Sequence, residues 1–263
     1  MKRLIWDLPT RVSHWALAAA VLLAYFIPPR VASGSMLSGL HVVCGVTAAL
    51  LLVSKLLWGL VGTKHARFRS LLFTPAEVTR YVASAVRGQG PYFAGHNPAS
   101  ALVICVAFVL LASTVASGLL MNSGGRVWEP VHEVAPNLLI ALVAIHIVGV
   151  LLATFRHKEN YVASMFSGMK TAGPEDAIPR SHPAAAVVMA ASVVLAASYF
   201  AGGFQPATGV FSPPGTSISV QLTEPARERR PRQMREGAAR EGADGEEAGE
   251  RRERGERGEG ERR

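Results

Sequence analysis

Residues 131–155, VHEVAPNLLIALVAIHIVGVLLATF, form an apolar run interrupted by two histidines 14 positions apart. A helix needs about 20 mostly apolar residues to cross a bilayer, so this run suffices. Fourteen residues advance a helix by about 21 Å and return to within about 40° of the same face. His132 and His146 therefore belong near opposite faces of the membrane while pointing into the same side of a bundle. An imidazole in hydrocarbon is costly unless partnered, and two at such different depths need two separate partners.

Four further runs come close to spanning length: about 12–27, 37–62, 98–121 and 184–203. Asn97-Pro98 supplies a cap and a first-turn proline to the third of the five, and Pro130 opens the fourth. Thr74, Pro75 and Glu77 form a capping box opening an amphipathic stretch to about Arg87, read either as a helix on the membrane surface or as an ordinary soluble one. Of eight histidines, His14 and His41 join His132 and His146 at or within the apolar spans.

The chain is 49% hydrophobic and only 17% charged, as membrane helices require. Residues 224–263 hold 12 Arg and 12 acids, so the net charge of +8 lies in the body. There Lys2, Arg3, Arg11, Lys64, Arg67, Arg69, Arg80, Arg87, Arg156, Lys158, Lys170 and Arg180 fall in alternate connections, against Arg30 and Arg126 on the other side. That asymmetry orients the N-terminus to the cytoplasm and leaves no face for nucleic acid. A signal peptide over residues 1–33 is the competing reading of the N-terminus, but it would discard His14. Cys44 and Cys105 lie inside spans and suggest no disulfide or cysteine metal site.

Depth pairs the histidines. His14 begins the first span level with His146, and His41, early in the second, is level with His132. Pairs about 21 Å apart cannot converge on one ion, and the spans offer no carboxylate or thiolate cluster to complete two zinc or copper sites. Two haems, each between two axial imidazoles, satisfy all four rings and favour electron transfer over ligand activation. Ala18, Gly45 and Gly149 stand three or four residues beyond His14, His41 and His146, where short side chains admit either a flat macrocycle or a close helix. Lys55, 14 residues after His41, is expected level with the inner haem, pairing with a propionate or snorkelling to the interface. His65, Arg67 and Arg69 on one side, and Glu133 on the other, are candidates for proton exchange with a quinol or for binding propionate, lipid headgroup or water.

Trp6-Asp7-Leu8-Pro9-Thr10-Arg11 leading to His14-Trp15, Leu57-Trp58-Gly59 followed by His65-Ala66-Arg67-Phe68, Gly95-His96-Asn97-Pro98, and His132-Glu133 with His146 give the chain a family likeness over about residues 4–170. It resembles the bacterial cytochrome b561 family, which includes b-type cytochrome subunits of nickel-iron hydrogenases. The resemblance implies four core helices, two non-covalent b haems on these four histidines, and electron exchange with quinone or a redox protein. Two departures stand out: Lys55 where arginine is expected, and Pro136, which should kink the fourth span by freeing the His132 carbonyl.

The expected architecture is an all-α membrane protein of the bacterial inner membrane, with a four-helix transmembrane bundle around two haems. Residues 1–170 make the cytochrome, 171–203 a linker and fifth transmembrane helix, and 204–263 a disordered Arg/Glu/Gly tail on the periplasmic side. The expected role is an electron-transfer subunit, rather than a stand-alone enzyme, linking quinone to a c-type cytochrome, hydrogenase or other dehydrogenase. The alternatives are a self-contained quinol oxidase acting on a small oxidant such as superoxide, and a haem-free structural or transport bundle whose four histidines make proton or ion contacts.

Overall fold

The computed structural model describes residues 1–27, 35–121 and 127–222. Arg30, Arg126 and the charged tail from 223 onward lie outside the described residues. The chain begins with a short strand, β1 (Lys2–Leu4), and continues through α1 (Leu8–Phe26), α2 (Met36–Val61), α3 (Pro75–Val86), α4 (Pro98–Leu120), α5 (Trp128–His157) and α6 (Tyr161–Ser167). Strand β2 (Met169–Thr171), helix α7 (Pro183–Gly203) and strands β3 (Phe204–Gln205), β4 (Val210–Phe211) and β5 (Val220–Gln221) complete it. This is an all-α membrane bundle with one strand pair and one small three-stranded sheet.

Helices α2, α4, α5 and α7 are long and apolar enough to cross a membrane, and each lies within a few residues of its sequence expectation. Helix α1, expected as the first of the five spans, is not among these four. Pro9, Thr10, Arg11, Ser13 and His14 make its first two turns polar. The starts follow capping chemistry. The Asp7 carboxylate accepts from Thr10 N at 2.8 Å, and Asn97 and Ser100 cap each other at the start of α4. Thr74 and Glu77 complete the expected capping box on α3, which offsets free donors that a helix start otherwise leaves.

Helices α1 and α2 pack side by side, as do α4 and α5. Contacts between α2 and α4 join the pairs, and α7 lies against α1 and α2. A buried cluster of Ala20, Ala48, Leu51, Leu52, Leu111, Leu139 and Val193 runs through the middle. Helix α2 is the central element: 28% of its most apolar window is buried, against 6% for α5. Leu138, Ile145, Val148, Leu152 and Phe155 of α5 are exposed, as a lipid-facing surface is. Pro136 lies within a continuous α5, where the Asn137 amide donates to Glu133 O at 2.6 Å and satisfies a carbonyl beside the gap in the ladder.

Residues from 204, expected to begin the disordered tail, form an antiparallel meander, β3–β4–β5, through Gln221. Its anchor is aromatic. Phe200 stacks on Phe211 with centroids 4.7 Å apart and on Phe204 at 5.7 Å, a surface that the low-complexity residues farther on do not supply.

The other end of the bundle is closed by the N-terminal residues. Strand β1 pairs with β2, and Ile5 N and Trp6 N both donate to Gly168 O, at 2.8 and 3.1 Å. Gly168 has φ of +81°, a left-handed conformation that glycine adopts without strain. Lys170 is fully buried, donates to Phe93 O at 2.9 Å, and faces the rings of Tyr161, Tyr92 and Trp6 at 4.3, 5.2 and 5.9 Å. Carbonyl and ring faces together replace part of its hydration. Trp6 also packs on His96, with ring centroids 4.9 Å apart.

Asp7 ties this cap to the bundle, because beyond its helix-cap bond it accepts from Trp58 Nε1 at 3.1 Å and from the Thr63 hydroxyl. Asp7→Ala removes a cap and strands two donors, so it should destabilise the protein by about 3 kcal/mol, with Asp7→Asn closer to wild type in denaturant titrations.

Burial, reinforced by the positive charge of His65, Lys55 and Lys170, pushes His96 down to about 3, and burial lowers His65 as well. Below pH 6.5 the unfolded chain therefore binds protons that the folded chain refuses, so stability should fall as pH drops from 6.5 toward 3. Lys170 is pushed down to about 8, chiefly by burial, so its contribution makes stability rise between pH 8 and the ordinary lysine value. Melting temperatures across pH should show the acid limb, and His96→Gln should flatten it.

Candidate functional site

His41 and His132 are brought together by α2 and α5, which run in the same direction. Their ring centroids lie 6.1 Å apart, with planes at 82°. Each ring is held by its Nδ1. His41 Nδ1 bonds Ala24 O of α1 at 2.9 Å, and His132 Nδ1 bonds Thr114 O of α4 at 2.9 Å, with Ser117 Oγ at 3.3 Å. A carbonyl oxygen only accepts, so the hydrogen is on Nδ1 and the lone pair on Nε2 of both rings. A backbone anchor on one nitrogen is the usual orientation device for a metal-binding histidine. Two metal–nitrogen bonds of about 2 Å each, plus the distance from each Nε2 to the centre of its own ring, account for a separation of this size.

Gly118 completes the setting. A Cβ built there would stand 2.8 Å from His132 Cε1 and 3.1 Å from Nδ1, so the ring occupies space that any other residue would claim. A Cβ at Gly45 or Gly149 would meet nothing within 4 Å. Neither glycine is therefore a close helix contact, and Gly149 is exposed. The residues present fit a haem between His41 and His132.

At the other level, His14 of α1 lies within electrostatic reach of His146 and Lys55. Lys55 Nζ donates to Ser13 Oγ at 3.3 Å, one residue before His14. All four histidines are half-buried. Both pairings join the α1/α2 unit to α5, which packs on α4 rather than on α1 or α2.

Sequence reasoning did not find Gly118, Ser13 or the carbonyls of Ala24 and Thr114. Every residue carries a carbonyl, so which one meets an imidazole has no signature in residue type. Of the proton-exchange candidates, His65 is buried with Nε2 against Asp176 O at 2.8 Å. Glu133 is exposed on α5, and Arg67 and Arg69 are exposed beyond the end of α2.

The model of the prokaryotic cytochrome b561 family matches residues 5–168. A probable Ni/Fe-hydrogenase B-type cytochrome subunit from Rhizobium leguminosarum bv. viciae is 24% identical over 209 residues, covering 62% of this chain and 87% of that protein. No solved structure matches. The family match takes in α1, α2, α4, α5 and every histidine of the two levels, and the chain belongs to the prokaryotic cytochrome b561 family, membrane proteins that transfer electrons on b-type haem.

Proposed function

We propose that the chain carries electrons across the bacterial inner membrane between the quinone pool and a redox protein, through two haems at different depths. His41 and His132 hold one haem. His14 and His146 hold the other, with Lys55 against a propionate. The observation that carries this reading is the matched pair of Nδ1 anchors on His41 and His132, which leaves the Nε2 lone pair of each ring free while the ring centroids lie 6.1 Å apart. Bound there, b-type haem would supply a one-electron carrier, held by the Nε2 atoms of His41 and His132.

The protein residues do the rest. Ala24 and Thr114 orient the rings through their carbonyls, Gly45 and Gly149 admit the macrocycle, and the exposed leucines, valines and isoleucines of α2 and α5 keep water from both levels. The basic residues gathered at the N-terminal end support a cytoplasmic N-terminus, and the hydrogenase-associated relative supports a dehydrogenase or hydrogenase as the protein partner. Reduction by quinol, followed by reoxidation with and without a c-type cytochrome or hydrogenase, tests the link. Full turnover on superoxide with no protein partner would overturn it in favour of an oxidase.

His41→Ala and His132→Ala should each remove the same haem, and His14→Ala and His146→Ala the other. Haem-to-protein ratios should fall by about half in every case, and reduced-minus-oxidised spectra should sort the four variants into those two pairs. Loss of one shared spectral component from His14→Ala and His132→Ala would break the pairing. Gly118→Ala should push on His132 alone, loosening the His41/His132 haem and altering its low-spin signal while leaving the other haem's signal in place.

A further inference from the structure

At the end of the bundle that holds the N-terminal cap, a cleft unrelated to either histidine pair opens just past the last turn of α2. It has a volume of about 460 Å³ and is lined by Lys64, His65, Arg67, Arg69 and Ser70. A neighbouring cavity of about 270 Å³ shares Lys64 and Arg67 with it.

The charges in this cleft do not balance. Lys64 is committed to Asp176 at 3.0 Å and to Glu175 O at 2.9 Å. Arg67 Nε donates to Gly62 O at 2.7 Å, which fixes the side chain and leaves its terminal nitrogens with no partner among the described residues. Arg69 is exposed and likewise has no partner among the described residues. His65 is bonded to Asp176 O and, pushed down by burial, is neutral at pH 7. Three cations thus face one carboxylate, and the Ser70 hydroxyl hydrogen is taken up by backbone carbonyls of His65 and Arg67. The free donors belong to the two guanidinium groups, whose forked geometry suits phosphate oxygens.

Position identifies the kind of anion. Helix α2 ends its apolar run at Val61, three residues before Lys64, so the cleft sits where hydrocarbon gives way to headgroups. Leu57, Leu60 and Val61 on that last turn, and Leu72 after the short 3-10 turn Phe68–Leu71, are 59%, 66%, 71% and 76% exposed. A cationic cleft with an apolar margin at this depth suits a ligand with a phosphate at one end and hydrocarbon at the other.

We propose that Arg67 and Arg69 hold the phosphodiester of an anionic phospholipid, with Lys64 at the rim and the acyl chains along Leu57, Leu60 and Val61. The site is independent of haem ligation, so the Soret absorbance of each variant reports the fold and the electron path separately from lipid binding. The exposed cations could instead meet an acidic protein face, but such a partner has no use for the apolar margin.

The test uses the full chain in mixed micelles of phosphatidylglycerol or phosphatidylcholine, with bound lipid counted by native mass spectrometry. Wild type should retain one phosphatidylglycerol in preference to phosphatidylcholine. Arg67→Gln/Arg69→Gln should weaken that preference by about thirtyfold and Arg69→Gln alone by about fivefold, with Soret absorbance unchanged. Arg80→Gln/Arg87→Gln, which removes one charge from α3 and one from its C-cap, should leave it intact. Equal retention of both lipids, an equal loss in the α3 variant, or displacement of phosphatidylglycerol by millimolar inorganic phosphate would each overturn the assignment. Should the double variant fail to fold, the exposed Arg69→Gln decides the question.

Discussion

A ring nitrogen can stay free inside an apolar bundle only if the other nitrogen of the same imidazole is satisfied, and the protein meets that constraint with backbone carbonyls. Ala24 O on α1 holds His41, and Thr114 O on α4 holds His132. Each anchor comes from a helix other than the one carrying the histidine. The geometry of this level therefore exists only while four helices stay in register, and the packing of α1 on α2 and of α4 on α5 is part of the site.

The N-terminal cap serves the same register from the other end. Asp7 simultaneously caps α1 and binds Trp58 and Thr63 at the end of α2, so α1 cannot slide along α2 without losing a buried carboxylate's partners. Lys55 reaches Ser13 from α2, one residue before His14. The cap contains buried polar groups, Lys170 among three aromatic rings and Glu159 paired with Lys2 and bonded to Thr171, and His96 packs on Trp6 beside them. Such groups are costly unless all their partners are present, which makes the cap specific to one arrangement of the chain ends.

The cleft of Arg67 and Arg69 lies outside this network, and that separation gives it a distinct character. Arg69 and the terminal nitrogens of Arg67 are exposed and have no partner among the described residues, while Lys170 of the cap is buried and matched. Charges needed for holding the fold are satisfied by the fold, and charges left over at the membrane boundary face whatever the membrane offers.

Residue order by itself determined the apolar helices, their caps at Thr74 and Asn97, the basic end of the bundle and the four histidines at two depths. These follow from periodicity, hydropathy and rise per residue, all of which act over a few turns of one helix. Tertiary structure alone decided which carbonyl orients which imidazole, that Gly118 yields its space to His132, that Phe200 and Phe211 gather residues 204–221 into a meander, and that Lys170 is buried rather than exposed on a connection. Each of these depends on residues distant in sequence meeting at close range, and such meetings are settled only when all the helices pack at once.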